Sequence, residues 1–200
     1  MERGDLIARG RTSDVYAWGV DSVVKVLRAD VPPAWAGLEA RHTRAVRSLG
    51  LPAPEVRGLV EVDGRQGVIF ERIFGLSMWQ EMCADTGASS VLAEVLADVH
   101  GQILSAGLPD NVTGLVSRMQ GKITEATQLP VADRSTASQV VAELPRGAAL
   151  LHGDLHPGNV LMSVSGPVVI DWFDASIGHP VADVVRSSLL LRSHLSLIHI

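Results

Sequence analysis

Between Leu150 and Met162 the sequence reads LLHGDLHPGNVLM, which sets His152, Asp154, His156 and Asn159 between two apolar runs. Gly153, Pro157 and Gly158 bend the backbone that carries them, so the stretch reads as a strand, a tight loop and a strand. A further apolar run, Pro167 to Ile170, ends on Asp171. Two carboxylates and a carboxamide could therefore meet around one cation. Magnesium takes oxygen ligands in octahedral geometry and keeps several waters, so Asp171 and Asn159 suit it, with phosphate oxygens completing the shell. Transfer of a phosphoryl group also needs a carboxylate that accepts the proton of the attacking hydroxyl, and Asp154, five residues before Asn159, is free to do so. Each aspartate alone could be a turn cap; the three together form an active-site layout.

The elements that must hold these groups follow from the pattern upstream. Asp5 to Arg9, Val15 to Trp18 and Ser22 to Leu27 alternate with Gly, Asp and Ser turns and predict a small antiparallel meander. The first turn carries Gly10, Arg11, Thr12, Ser13 and Asp14, whose N–H groups and hydroxyls could hold an anion such as a phosphate; an ordinary hairpin turn is the other reading. Lys25 stands among Val23, Val24, Val26 and Leu27. Buried there, its ammonium needs an anionic partner; on an edge face it would reach out to water. Past Pro32 and Pro33, the positions Trp35, Leu38, His42, Ala45, Val46 and Leu49 recur at helical spacing, which predicts a helix over 34–49. Glu39 lies beside that stripe, placed either to meet Lys25 or to remain a solvated helix charge. Two more strands, Val56 to Val62 and Gly67 to Phe74, are joined by Asp63-Gly64-Arg65-Gln66 as a hairpin turn.

At Gly75 the composition changes and the pattern becomes mainly helical. Leu92, Val95, Leu96, Val99 and Ile103 form a stripe behind the candidate caps Ser89 and Ser90, and His100 beside it reads as a hydrogen-bonded structural histidine. Weaker helical patterns cover 115–128 and 131–144. The expected class is α+β, with a small antiparallel β-rich lobe holding one helix over residues 1–74, a mainly α-helical lobe over 75–200, and a cleft between them.

Composition narrows the function classes. The 200 residues suit one domain or two small lobes, with 46% hydrophobic and 20% charged residues as in ordinary folded proteins. A net charge of −5 without a basic block argues against nucleic acid as a partner. The single cysteine, Cys83, rules out an intramolecular disulfide and a cysteine zinc cluster, points to a reducing cytoplasm, and reads as a plain buried or half-buried thiol. The N-terminus lacks the apolar core of a signal peptide and no run approaches the ~20 apolar residues of a membrane span, so a cytoplasmic protein with no membrane partner is expected.

HGDLHPGNVL followed by VIDWFDA resembles the aminoglycoside phosphotransferase family, part of the wider protein-kinase-like fold, and the resemblance covers nearly the whole chain. The catalytic loop of that family runs His, Asp, four spacers, Asn. His152, Asp154 and Asn159 meet that order, which implies Asp154 as catalytic base and Asn159 as a magnesium ligand. Asp171 matches the metal-binding aspartate that precedes Trp where protein kinases have Phe-Gly. By the same resemblance, Lys25 holds the α- and β-phosphates of ATP or another nucleoside triphosphate, and Glu39 is its ion-pair partner. The family pattern permits a phosphate turn at Arg11, Thr12 and Ser13. The hinge that would receive adenine through its backbone matches Phe70, Glu71, Arg72 and Ile73. Asp174 and Asp183 also match family positions, Asp183 in a structural role.

The resemblance implies an ATP- and Mg2+-dependent phosphotransferase acting on a hydroxyl of a small molecule, most directly an aminoglycoside or related antibiotic. Relatives of this fold also use macrolides, choline, homoserine and other alcohols, so the acceptor stays open. Two further readings remain: a kinase-like nucleotide-binding module without turnover, and a hydrolase in which His152, Asp154 and His156 hold a transition metal. Family members commonly continue beyond the helix predicted from Pro180 to about Leu191. The closing LSLIHI lacks a capping pattern and resembles translated sequencing-adapter sequence, so a C-terminally truncated fragment is expected.

Overall fold

The computed structural model describes residues 3–198. Its N-terminal half opens with β1 (Leu6–Arg9), β2 (Ser13–Ala17) and β3 (Ser22–Leu27), passes through α1 (Ala34–Ser48), and continues into β4 (Val56–Val62) and β5 (Arg65–Glu71). These strands form one sheet in the order β1-β2-β3-β5-β4, every neighbouring pair antiparallel. The hairpin between β4 and β5 turns on Asp63 and Gly64 alone, both at positive φ (52° and 72°). A two-residue turn of that kind matches the twist of the flanking strands. For that reason β5 starts at Arg65, before the apolar run expected to define it; its last residue is Glu71 rather than Phe74.

Side chains alternate across β3. Val24 and Val26 are fully buried on one face with Val62, while Leu27 packs on the other with Ala36 and Ala40 of α1 and with Val68 and Phe70. Lys25 shares the α1 face with Leu27. Because β3 is the central strand, an edge position for Lys25 is ruled out.

The second half holds β6 (Gly75–Ser77), α2 (Met78–Ala84), α3 (Ser89–Leu104), α4 (Leu115–Glu125), α5 (Val131–Ala142), β7 (Ala149–Leu151), β8 (Val160–Ser163), β9 (Gly166–Val169), β10 (Ser176–Gly178) and α6 (Pro180–Ile198). The start of α2 is a capping box, in which the Ser77 hydroxyl accepts from the Gln80 N–H and the Gln80 side chain accepts from the Ser77 N–H. At α3 the expected serine caps are not used. A 3₁₀ turn over Thr86–Ala88, capped by the Asp85 carboxylate, runs straight into the helix, so Ser89 is already its first residue. Cys83 is exposed rather than buried. Among the described residues, no helix is long and apolar enough to cross a membrane. α6 runs past the predicted end near Leu191, and the expectation of a foreign terminus bears in part on His199 and Ile200, which lie outside the described residues.

The main core sits beneath the small strands. Met78, Ile103, Leu150, Leu155, Val160, Val169 and Trp172 pack there with no exposed surface. β7 pairs with β10, whereas β8 lies between β6 and β9. The polar loop between β7 and β8 therefore crosses from one small sheet to another, with the buried Leu151 and Val160 at its two ends. Trp172 closes the core directly behind Asp171, its indole N–H donating to the Val169 carbonyl at 2.9 Å. Trp172→Ala is expected to cost about 3–5 kcal/mol of stability, as deletions of buried tryptophan do, measurable as a lower urea midpoint.

Candidate active site

A cavity of about 640 Å³ lies between the five-stranded sheet and the loop after β7, with Val23, Lys25, Phe70, Ile73, Asn159 and Asp171 among its walls. Lys25 stands in this cleft with its side chain 14% exposed. Its ammonium donates to Glu39 Oε1 at 2.7 Å and to Asp171 Oδ1 at 3.1 Å. Burial works against the charge on Lys25, but the Glu39 and Asp171 carboxylates outweigh it and raise its pKa, so it is an ammonium. Burial pushes the Glu39 carboxyl up, with Lys25 pulling it the other way. Asp171 reaches the cleft through a left-handed backbone at φ 63° and ψ 56°. That conformation is uncommon outside glycine, although aspartate tolerates it better than most residues.

The loop is held from several sides. Its first residue, His152, is fully buried. The Asp154 N–H donates to His152 Nδ1 at 3.1 Å, so that nitrogen is an acceptor, and Nε2–H donates to the Ile170 carbonyl at 3.1 Å. Burial lowers the pKa of this ring, against pulls from Asp183 and the Ile170 carbonyl, and it stays neutral. Asp183 on α6 accepts from the N–H of His152 at 2.9 Å and of Gly153 at 2.7 Å, and Oδ2 lies 3.1 Å from His100 Nε2. Burial opposes the Asp183 charge, but His100 and these two N–H groups hold its carboxyl below the usual range. Gly153 sits at φ +81°, and a Cβ there would come within 2.4 Å of the Asp174 carbonyl oxygen. Only glycine fits.

Further along the loop, Asn159 donates through Nδ2 to the Asp154 carbonyl at 2.9 Å and lies 3.5 Å from Asp154 Oδ2. Arg186 of α6 donates to Asp154 Oδ1 at 2.9 Å and, through Nε, to the Gly153 carbonyl. Asp174 receives Lys122 at 2.9 Å and Arg118. Burial works against its charge, yet these two cations keep the carboxyl below its usual range.

Lys25, Glu39, Asn159, Asp171, Ser13 and the hinge residues Glu71 and Ile73 all line the one cleft. Asp154 stands on the loop beside it, and Arg11 and Thr12 do not line it either. The turn closes on itself through the Gly10 N–H to the Ser13 carbonyl at 2.8 Å, leaving Arg11 exposed, while the Thr12 carbonyl accepts from the Arg28 N–H at 2.9 Å. At the hinge, the Glu71 and Arg72 N–H groups are taken by the carbonyls of Glu55 and Asp21. His156 accepts from the Gly158 N–H at 3.1 Å through Nδ1, capping the 3₁₀ turn Pro157–Asn159. With both nitrogens of His152 spent on backbone, the His152, Asp154 and His156 metal set has no geometric support. Among the described residues, no cluster of at least three His, Cys, Asp or Glu side chains suits a metal ion.

Arg186, and with it Arg118 and Lys122, carries little signal in the sequence. An arginine among the valines of α6 resembles any solvated helix charge, and only its spacing of one turn from Asp183 hints at a shared partner. His42 belongs to the apolar stripe of α1. It is indeed buried, but its Nδ1 also lies 3.2 Å from the carbonyls of both Trp172 and Phe173, which requires that nitrogen to carry the proton.

A sheet with one helix set over a helical half, and a nucleotide-sized cleft between them, is the protein-kinase-like fold. The model of the phosphotransferase enzyme family matches residues 4–195, and the chain belongs to that family. Among solved structures it is similar to a thermostable mutant of aminoglycoside phosphotransferase APH(4)-Ia in ternary complex with AMP-PNP and hygromycin B, with 19% identity, 91% of this chain and 70% of that chain covered, and a TM-score of 0.63. It is similar to aminoglycoside phosphotransferase APH(3'')-Id from Streptomyces rimosus at 17% identity, covering 90% of this chain and 75% of that one, with a TM-score of 0.64. A choline/ethanolamine kinase family protein from Mesorhizobium loti matches at 18% identity, covering 94% and 62%, with a TM-score of 0.56. No curated protein sequence matches.

The buried histidines give the fold a pH dependence with a definite sign. Burial lowers the pKa of both His42 and His152 from the usual 6.5. The unfolded chain therefore takes up protons that the folded chain refuses until the pH is lower. Their contribution is whole above pH 6.5 and declines as the pH falls through the window below it. Asp174 and Asp183 extend the loss below their usual 3.8. The raised Glu39 carboxyl acts in the opposite sense, so the histidine share is read from a difference: the drop in urea midpoint from about pH 7.5 to about pH 5 should be smaller in His42→Gln than in the unsubstituted protein, and an equal drop would contradict a neutral, buried His42 ring.

Proposed function

We propose that the protein is a cytoplasmic phosphotransferase that moves the γ-phosphoryl group of ATP, or of another nucleoside triphosphate, to a hydroxyl of a small molecule. One observation carries the reading: a single cleft gathers the Lys25–Glu39 pair and Asp171 within 3.1 Å, with Asn159 and Asp154 on the adjoining loop. Lys25, held forward by Glu39, binds the α- and β-phosphates. The backbone of Glu71 and Ile73 receives the adenine edge, and Ser13 faces the phosphates from the β1–β2 turn.

The donor set beside Lys25 fits magnesium. Asp171 offers carboxylate oxygen, and Asn159, whose Nδ2 is spent on Asp154, keeps Oδ1 as an acceptor; both are hard ligands of the kind Mg2+ takes together with phosphate oxygens. When bound, the metal neutralises charge on the phosphates during transfer. Asp154 accepts the proton of the attacking hydroxyl and orients its oxygen for in-line attack. The fully buried His152 braces the loop and takes no part in the proton transfer.

The neighbour that holds AMP-PNP and hygromycin B supports an aminoglycoside or related antibiotic as acceptor, with resistance as the biological outcome. The Mesorhizobium loti neighbour makes amino alcohols the second acceptor class to test. ATP consumption against a panel of aminoglycosides, macrolides, choline-type amino alcohols and homoserine should reveal one productive acceptor. Nucleotide binding with no turnover on any of them would instead support a binding module.

Asp154→Ala should lower turnover by about 10²–10⁴-fold with little change in nucleotide affinity, and near-normal turnover would contradict its assignment as base. Lys25→Ala should weaken productive nucleotide binding, seen as a raised nucleotide KM. Asp171→Ala should abolish the magnesium dependence of nucleotide binding in titrations with and without the metal.

A further inference from the structure

We propose that Arg186 is a positioning residue for this transfer: it pins one carboxylate oxygen of Asp154 to the loop so that the other, Oδ2, is presented to the acceptor hydroxyl. The proposal rests on the reading of Asp154 as the base. An aspartate side chain has two rotatable bonds, and unrestrained it spreads its oxygens over several orientations. Here Arg186 Nη2 meets Oδ1 at 2.9 Å while Nε of the same guanidinium meets the Gly153 carbonyl. The planar fork thus references the carboxylate to the peptide unit just before it. Oδ2 is left 3.5 Å from Asn159 Nδ2 and 4.0 Å from His156 Nε2.

The placement on α6 supports this role. Asp183 and Arg186 are three residues apart, so their side chains leave the same face of the helix. Asp183 takes the N–H groups of His152 and Gly153, and Arg186 takes the carbonyl of Gly153 and the carboxylate of Asp154. One turn of helix therefore engages consecutive donors and acceptors of the loop. On the opposite side, Gly153 already lies against the Asp174 backbone with no room for a Cβ, so the loop cannot shift inwards to compensate for a lost clamp. Arg186 itself is 51% exposed. A surface ion pair of that kind contributes little to stability, which separates its effect on the base from any effect on folding.

The test compares Arg186→Met, Arg186→Lys, Asp154→Ala and the Asp154→Ala/Arg186→Met double variant, each assayed for kcat, for nucleotide and acceptor KM, and for thermal midpoint. Arg186→Met should lower kcat by about 10- to 100-fold, the scale expected when a reacting group is misplaced by around an ångström. Nucleotide KM should stay within about twofold, with an essentially unchanged thermal midpoint. Arg186→Lys should recover only part of the loss, because one ammonium cannot make the two fork contacts at once. In the Asp154→Ala background the arginine substitution should cost nothing further, since it acts through the missing carboxylate. Unchanged kcat in Arg186→Met would overturn the proposal while leaving Asp154 as the base. A rise in acceptor KM with kcat intact would overturn it in favour of a substrate contact. An equal loss with and without Asp154 would overturn it too. Near-normal turnover in Asp154→Ala alone would remove the base, and the proposal with it.

Discussion

An ammonium drawn most of the way out of water has to be paired, and the pairing of Lys25 is the constraint on which the rest of this structure depends. Its partners come from α1 and from the end of β9, the second 146 residues away along the chain. Removing one partner from a buried ion pair leaves an uncompensated charge that generally costs about 3–5 kcal/mol. The sheet, the helix behind it and the segment carrying Asp171 are thereby held in one relative position. Two neutral contacts reinforce the joint: the Val169 N–H donates to the Pro52 carbonyl at 2.7 Å, and His42 of α1 donates to the carbonyls behind Asp171. The cleft exists because its walls are tied together at its floor.

The second constraint is the backbone of the loop after β7. Its ends enter different small sheets, so no continuous ladder fixes it, and the N–H groups of His152, Gly153, Asp154 and Gly158 are met by side chains. His152 bridges the Asp154 N–H to the Ile170 carbonyl, a role that requires a single neutral tautomer. Asp183 supplies the acceptor oxygens at the start of the loop, and His100 of α3 meets that same carboxylate. Of the residues proposed for chemistry, Lys25, Asn159 and Asp171 line the cleft and Asp154 stands on the loop beside it, while those that brace them lie behind, buried or on α6. Around this loop, function and stability are divided between neighbouring side chains, whereas Lys25 and Asp171 carry both.

Much of this was legible in the sequence. Alternation marked the strands of the five-stranded sheet but not the short β6 and β10, the helical stripe gave α1 to within a residue, and the polar loop announced itself by its density of His, Asp and Asn between apolar runs. The misplaced boundaries have local causes. The Asp63-Gly64 turn moved the start of β5, and a 3₁₀ turn with its own aspartate cap displaced Ser89 from the cap position of α3. The turn at Arg11 and Thr12 had suitable residue types, but its own hydrogen bond faces it away from the cleft. Arg186 was invisible because nothing in the neighbourhood of an exposed helical arginine says which carboxylate it will meet.

The sequence by itself determined which residues could do chemistry and on what kind of element each would ride, because residue type and period act over a few neighbouring positions. It left Lys25 suspended between a solvated edge and a paired interior, and Glu39 between a surface charge and a partner. Only the tertiary structure decided these, by making β3 the central strand and turning α1 towards it. Whether the Lys25 charge is paired depends on groups 14 and 146 residues away, and their approach is set by packing of the whole chain rather than by any local pattern.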